Sequence, residues 1–325
     1  MLLLFHVDDF GGGADSLDTV HWLEEQLAAH IKLSHFGNLT SFLGLEFSRN
    51  RSSKTFEVRQ TAQIDELRVK FKLEDCNPVA IPADPQLVQK THSSEPYPHV
   101  PMYRKLVGTL IWLSYTSRKN MAFIVNFLCR SLSAPTKAHM KLGKHALKYL
   151  ICHRDQPLVL GGAIKDPKNM FVAFSDSDWA SHKQDRRSTT GCVVFFNGHC
   201  IYSETRLQKT VALHSVEAEY YALGETTKTV LFLLSLLDSL ELFPKQDPVP
   251  INLDSSGAKA MARGGGEFRA RKHIDVRAHF IGKHEEDKSI ILCKVPSADN
   301  IADTNTKALG YRAFSKHEAS IMEDI

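Results

Sequence analysis

No run of apolar residues in this 325-residue sequence reaches the roughly 18 needed to cross a bilayer, so no membrane span is expected. The opening MLLLFHVDDF is short, carries no basic leader and meets acid at once. It is therefore not read as a secretory signal, and a cytoplasmic or nuclear protein that is not secreted is expected. Cysteine is sparse: six residues, at 76, 129, 152, 192, 200 and 293, show no paired spacing and no Cys-x-x-Cys. That argues against a disulfide framework or a zinc site and for reduced thiols. Neither sign of charge prevails, because 40 Lys and Arg against 37 Asp and Glu leave +3 with His neutral. Such a balance permits a polyanionic partner without requiring one. Gly11 to Gly13 are followed by no Gly-Lys-Ser/Thr, which excludes a phosphate loop.

What remains is the composition of an ordinary globular chain, 43% hydrophobic and 24% charged. Its length allows two domains of about 150 residues each. Leu2 to Phe10 predicts a buried strand that ends at Asp8 and Asp9, two adjacent acids that bind metal only if another acid joins them. Gly11 to Gly13 predict a flexible exit, and Ser16 caps a helix with Leu17, Val20, Leu23 and Leu27 at core spacing. FLGLEFSRNRSSKTFEVRQ predicts two strands joined by a polar turn. Thr61 to Glu74 predicts a basic amphipathic helix, which the prolines of CNPVAIPADP end.

After a polar, proline-rich stretch from His92 to Pro101 come three helical patterns, Tyr103 to Tyr115, Met121 to Leu132 and Lys137 to Cys152. Lys137, Lys141, Lys144 and Lys148 run down one side of the last, a solvated face or a track for a nucleic-acid backbone. From about Leu158 the pattern changes to short β-rich runs, LVLGGAI, MFVAFSD, GCVVFFNG and CIYSETR. A long helix from Ser215, the strand VPINLD, a short helix begun by Ser255 or Ser256, the helix KHIDVRAHFIGKH, the strand SIILCKV and a last helix after Ser297 complete the chain. Antiparallel strands followed by α/β crossovers predict an α/β fold with a mixed sheet packed by helices.

Four acids sit where a strand or loop meets a helix, in FVAFSDSDWA, in HSVEAEYYAL, in INLDSS and in ADNIADTNTKAL. If a helix runs from about Ser215 to Leu240, its apolar stripe Ala222, Leu223, Val230, Leu233, Leu234 and Leu237 leads back to Glu219. Glu219 then faces the core, and Glu217, about 200° around the helix, faces water in the first turn. A carboxylate on a buried stripe is costly to ionise unless a cation or donor meets it, and a structural ion pair with Arg or Lys would also serve. Strand parity leaves Asp176 and Asp178 on one face, and Asp299 and Asp303, four apart, share a helical face.

Taken together, YRKLVGTLIWLSYTSR, FSDSDWASHKQDRRSTTGCVVFFNG, QKTVALHSVEAEYYAL, RKHIDVRAHF and ADNIADTNTKAL resemble the C-terminal part of the Pol polyprotein of copia-type retrotransposons. The resemblance covers essentially the whole chain in one order. It implies a truncated reverse transcriptase palm and thumb remnant at 1–90, a helical connection at 91–155 and a ribonuclease H-like domain at 156–325. It also implies catalytic and metal-binding roles for Asp176, Glu219, Asp254 and Asp303. These four would hold two Mg²⁺ ions, with Mn²⁺ as a substitute, that cleave the RNA strand of an RNA/DNA hybrid.

Arg269, Arg271, Lys272 and Arg277, in a basic stretch with His273 and His279, are candidate contacts for hybrid phosphates, with a solvated helix face as the alternative. A parent polyprotein is the implied source; no membrane partner is expected, and the oligomeric state is left open. Asp8 and Asp9 in HVDD, where His6 stands in place of the usual aromatic, would be the remnant of a polymerase metal site, so no DNA synthesis is expected. The ribonuclease H segment departs from the family too, with Ser255 after Asp254, the run Gly264 to Gly266, and polar Thr304 and Asn305 after Asp303. The polar pair is expected to remove core contacts around the fourth acid. These departures define a rival reading, a catalytically dead remnant or nucleic-acid-binding module.

Overall fold

The computed structural model describes residues 1–35, 37–91, 94–241, 243–263 and 272–323, apart from the side chains of residues 272–278. Leu2–His6 (β1) and Asp9–Gly13 (β2) form an antiparallel hairpin whose turn places Val7 at φ 52°. Every residue of β1 is exposed, so the expected buried strand is not found, and Gly11 to Gly13 belong to β2 rather than to a flexible exit. Ser16 caps Leu17–Ala28 (α1), its hydroxyl accepting from the Thr19 N–H at 3.2 Å, yet no residue of α1 is buried. Periodicity identifies the apolar face of a helix; it does not supply the surface that covers it.

Ser41–Phe42 (β3), Leu45–Asn50 (β4) and Thr55–Arg59 (β5) pair antiparallel, and Thr61–Lys70 (α2) and Pro85–Lys90 (α3) follow. Val100–Thr116 (α4), Ala122–Cys129 (α5) and Lys137–Cys152 (α6) then pack on α2 around Tyr103, Leu106, Leu110, Leu128 and Leu147. Thr136 and His139 close a reciprocal capping box at the start of α6. Its Lys137 and Lys141 are exposed while Leu142, Leu147 and Leu150 are buried. Leu158–Gly161 (β6) corrects one expectation. It pairs with β5, in register Val58↔Leu158, and so ends the four-stranded sheet rather than opening the next one.

The second sheet has five strands in the order β11-β10-β7-β8-β9, built from Phe171–Asp178 (β7), Thr189–Phe196 (β8), His199–Leu207 (β9), Val249–Leu253 (β10) and Ile290–Lys294 (β11). β7, β8 and β9 are antiparallel, whereas β10 runs parallel to both β7 and β11, giving the expected mixed sheet. Ser215–Leu240 (α7), Ser256–Ala262 (α8) and Lys272–Glu286 (α9) provide the helical side of this layer, and α7 and α8 share a core with the sheet through Ala173, Val194 and Ile251. Leu223, Val230 and Leu237 of α7 are buried, each contributing about 1.5–3 kcal/mol.

The other face of the sheet packs Phe174, Val193 and Phe195 against Val58 and Leu158 of the first sheet and against Ile321 and Met322. The last two belong to Tyr311–Met322 (α10). The helix expected directly after Ser297 is instead two 3₁₀ turns, Ser297–Asp299 and Ile301–Asn305, which precede α10. Gly191 in β8 explains how closely the second turn docks. A Cβ there would lie 2.7 Å from the Ala302 carbonyl oxygen and 3.0 Å from the Asn305 Cβ.

Candidate functional site

β7 and β10 are neighbouring parallel strands in register Ile251↔Ala173 and Asn252↔Phe174. Continuing that register two residues brings Asp254, just beyond β10, level with Asp176. Glu219 reaches the same point from the second turn of α7. Carboxylate oxygens of Asp176, Glu219 and Asp254 all lie within 4.8 Å of one another. Ser255, after Asp254, caps α8 by accepting from the Ala258 N–H at 3.2 Å, so this position fixes the strand-to-helix junction.

Burial first, and then the charges of Asp176 and Asp254, push the Glu219 carboxyl up to about 9, against the lowering effect of a hydrogen bond from the Ser177 backbone. Asp176 is raised to about 7 by its burial and by the charge of Asp303. Two donors hold it: the Thr306 hydroxyl at 2.5 Å from Oδ2, and the Asn300 Nδ2 at 3.4 Å from Oδ1. Asn300 also donates to the Ser175 carbonyl at 3.0 Å. Asp303 adjoins Asp176 rather than entering the cluster of three, and its carboxylate meets the Lys307 ammonium at 2.8 Å.

Asp176, not Asp178, belongs to the cluster; Asp178 is half-buried, and burial raises its carboxyl. Asp299 is exposed and paired with Lys316 at 2.6 Å, and because no α-helix joins it to Asp303 the two do not share a helical face.

Glu217 is the clearest correction. It is buried, not solvated, with its carboxylate accepting from the Leu213 N–H at 2.7 Å and the Tyr221 hydroxyl at 2.8 Å. It ties down the entry to α7 two residues before Glu219 turns into the site. Thr304 and Asn305 also differ from expectation: both are buried and hydrogen-bonded rather than lost from the core. Asn305 Nδ2 donates to the Cys192 carbonyl at 3.0 Å and the Ser203 hydroxyl at 2.9 Å, and the Thr205 hydroxyl donates to the Asn305 carbonyl at 2.7 Å. Thr304 donates to the Ile301 carbonyl at 2.7 Å. Asn305 thus pins the 3₁₀ turn to β8 and β9, and Thr304 closes the turn on itself.

Asp8 and Asp9 are exposed at the β1–β2 turn and join no acidic cluster among the described residues. Arg269 and Arg271, with the run Gly264 to Gly266, lie outside the described residues, as do the side chains of Lys272, His273 and Arg277; His279 is exposed. Sequence reasoning missed Asn300, Thr306 and Lys307. The available signal was their place in ADNIADTNTKAL, within four residues of Asp303. Among the described residues, no helix is long and apolar enough to cross a membrane.

No protein-family model matches the chain. The chain is similar to the retrovirus-related Pol polyprotein from transposon TNT 1-94 of Nicotiana tabacum, 28% identical over 324 residues, covering 97% of this chain and 24% of that one. It is also similar to an uncharacterized mitochondrial protein of Arabidopsis thaliana, 31% identical over 228 residues, covering 70% of this chain and 91% of that one. Among solved structures, LC11-RNase H1 in complex with RNA/DNA hybrid aligns at 14% identity and a TM-score of 0.33, covering 42% of this chain and 93% of that one. The chain spans about a quarter of the length of the tobacco polyprotein. With matching relatives along nearly its whole length, the chain belongs to the Pol family of copia-type retrotransposons.

Proposed function

We propose that this chain is a ribonuclease H-type endonuclease that hydrolyses the RNA strand of RNA/DNA hybrids with two divalent cations. The observation that carries this reading is the meeting of Asp176, Glu219 and Asp254, from a central strand, a helix and a neighbouring strand end. Their oxygens are the hard donors that Mg²⁺ takes, and Mn²⁺ accepts the same set. The raised Asp176 and Glu219 carboxyls support a cation there, because burial and mutual repulsion outweigh the nearby Lys307 ammonium.

Asp176, Glu219 and Asp254 would hold the ions, with Asp303 beside them as the fourth ligand once released from Lys307. When bound, such ions supply a hydroxide nucleophile near neutral pH and neutralise charge on the leaving 3′-oxygen. Thr306 and Asn300 orient Asp176, and Ser255 fixes the approach to Asp254. Contacts to the 2′-hydroxyl would select the RNA strand.

In this reading residues 1–90 belong to a reverse transcriptase palm and thumb, 91–155 to a helical connection and 156–325 to the nuclease, with β6 lent to the first sheet. Asp8 and Asp9 are exposed and join no other acid among the described residues; the reading that this chain alone makes no DNA is refuted by nucleotide incorporation in a primer-extension assay. For the nuclease, a labelled hybrid with Mg²⁺ is cleaved by the natural chain and not by Asp254→Asn; equal cleavage by both would overturn the assignment. The rival reading of a dead remnant drew on Thr304, Asn305 and the run Gly264 to Gly266; the hydrogen bonds of the polar pair count against its first ground, and the run lies outside the described residues.

A further inference from the structure

Trp179 follows Asp178 at the end of β7 and is 47% exposed, with its indole N–H donating to the Ala212 carbonyl at 3.0 Å. That bond fixes the ring against residues 208–214, the loop that leads into α7 and Glu219. Val211 and Leu213 of the same loop are also exposed. Lone exposed apolar side chains are common, but Val211 and Leu213 flank the Ala212 to which Trp179 is bonded, and Trp179 lies three residues after Asp176.

Basic side chains flank them. Lys183 and Arg186, on the loop after β7, and Lys209, after β9, are exposed and have no ion-pair partner among the described residues. Arg187 and His182, in contrast, are both engaged by Asp185, at 2.6 Å each. The Gln208 N–H donates to the Ser188 carbonyl at 2.8 Å, so the two loops close on each other at one end of the sheet.

We propose that this rim is a nucleic-acid platform, on which Trp179, Val211 and Leu213 pack against a sugar or base of the hybrid while Lys183, Arg186 and Lys209 meet its phosphates. The placement rests on the nuclease reading only in taking the hybrid as ligand. An acidic centre repels a polyanion, so positive charge must lie beside it to bring a phosphodiester within reach. Every nucleotide offers both a phosphate and a flat or apolar face, the pairing that a ring between basic side chains fits.

The test is fluorescence anisotropy of the full chain with a fluorescein-labelled RNA/DNA hybrid in EDTA, where binding is read without cleavage. Trp179→Ala weakens binding about tenfold or more with little change in salt dependence. Combined Lys183→Ala, Arg186→Ala and Lys209→Ala lowers the slope of log affinity against log salt by about 2.7. Trp179→Phe, which keeps a ring, retains most of the affinity and guards against a folding defect. Natural affinity and slope in both loss variants would overturn the proposal, as would a dimer in sedimentation that Trp179→Ala converts to monomer. If the natural chain binds through these residues but cleaves nothing with Mg²⁺, the platform stands and the nuclease reading falls. If it cleaves and the variants bind as it does, the platform alone fails.

Discussion

The hydroxyl of Thr306 donates to Oδ2 of Asp176 at 2.5 Å, across 130 residues of sequence, and so joins the docked 3₁₀ turn to the central strand of the site. A hydrogen bond to a charged group is worth about 1.5–3 kcal/mol. Thr306→Val, nearly isosteric, should therefore weaken Mg²⁺ binding and hybrid cleavage roughly 10- to 100-fold, while Thr306→Ser keeps most of both. Calorimetric titration with Mg²⁺ reads the first effect independently of cleavage; full metal affinity in Thr306→Val would remove this role.

The same carboxylates make stability depend on pH. Asp176 titrates at about 7 and Glu219 at about 9 in the folded chain, both above their ordinary values. At these two sites the folded protein then holds more protons than the unfolded chain, so their contribution to stability falls as pH rises from about 4 to about 9, against the opposite trend of His145 and His317, whose imidazoles burial lowers. Mg²⁺ held by the ionised carboxylates, as proposed, should offset the loss most strongly at the alkaline end. Thermal unfolding at about pH 5 and about pH 8, with EDTA or with Mg²⁺, checks both directions; a metal-free protein more stable at the higher pH would contradict the sign.

Glu219→Gln removes one of three mutually repelling acids and keeps its shape. Without metal, the variant should unfold a few degrees higher at about pH 8, corresponding to roughly 1 kcal/mol. With Mg²⁺ it should cleave hybrid at least about 100-fold more slowly. A variant that loses stability in EDTA would mean that Glu219 serves the fold instead of burdening it.

Asn305 is 1% exposed and bridges β8 and β9. Replacing it with Leu leaves the Cys192 carbonyl and the Ser203 hydroxyl without this donor, at a cost of about 1–3 kcal/mol. Because the turn also carries Asp303 and leads to Thr306, Mg²⁺ affinity should drop with stability. Denaturant titration and calorimetry measure the two, and an unchanged midpoint would count against the bridge.

Much of the site could be read from the chain because each central acid ends or interrupts a strong pattern. Asp176 closes a β-rich run, Asp254 follows another, and Glu219 extends the apolar stripe of α7. Glu217 was misread because helical angle says nothing about the local donors, Leu213 N–H and Tyr221 hydroxyl, that draw it inward. Thr304 and Asn305 looked like losses because Asn305 finds its partners about 100 residues away, beyond any local window. The run Leu158–Gly161 was recognisable as a strand, but its neighbour was not, since pairing is settled by tertiary packing.

β6 carries a consequence for the history of such sequences. The strand lies between α6 and β7 in the chain, yet it is hydrogen-bonded to β5, and Leu158 packs with Phe174 and Val193 of the five-stranded sheet. A shortened copy without β4 and β5 would leave β6 unpaired and uncover Phe174, two residues from Asp176. Deletions among relatives should therefore stop short of this hairpin.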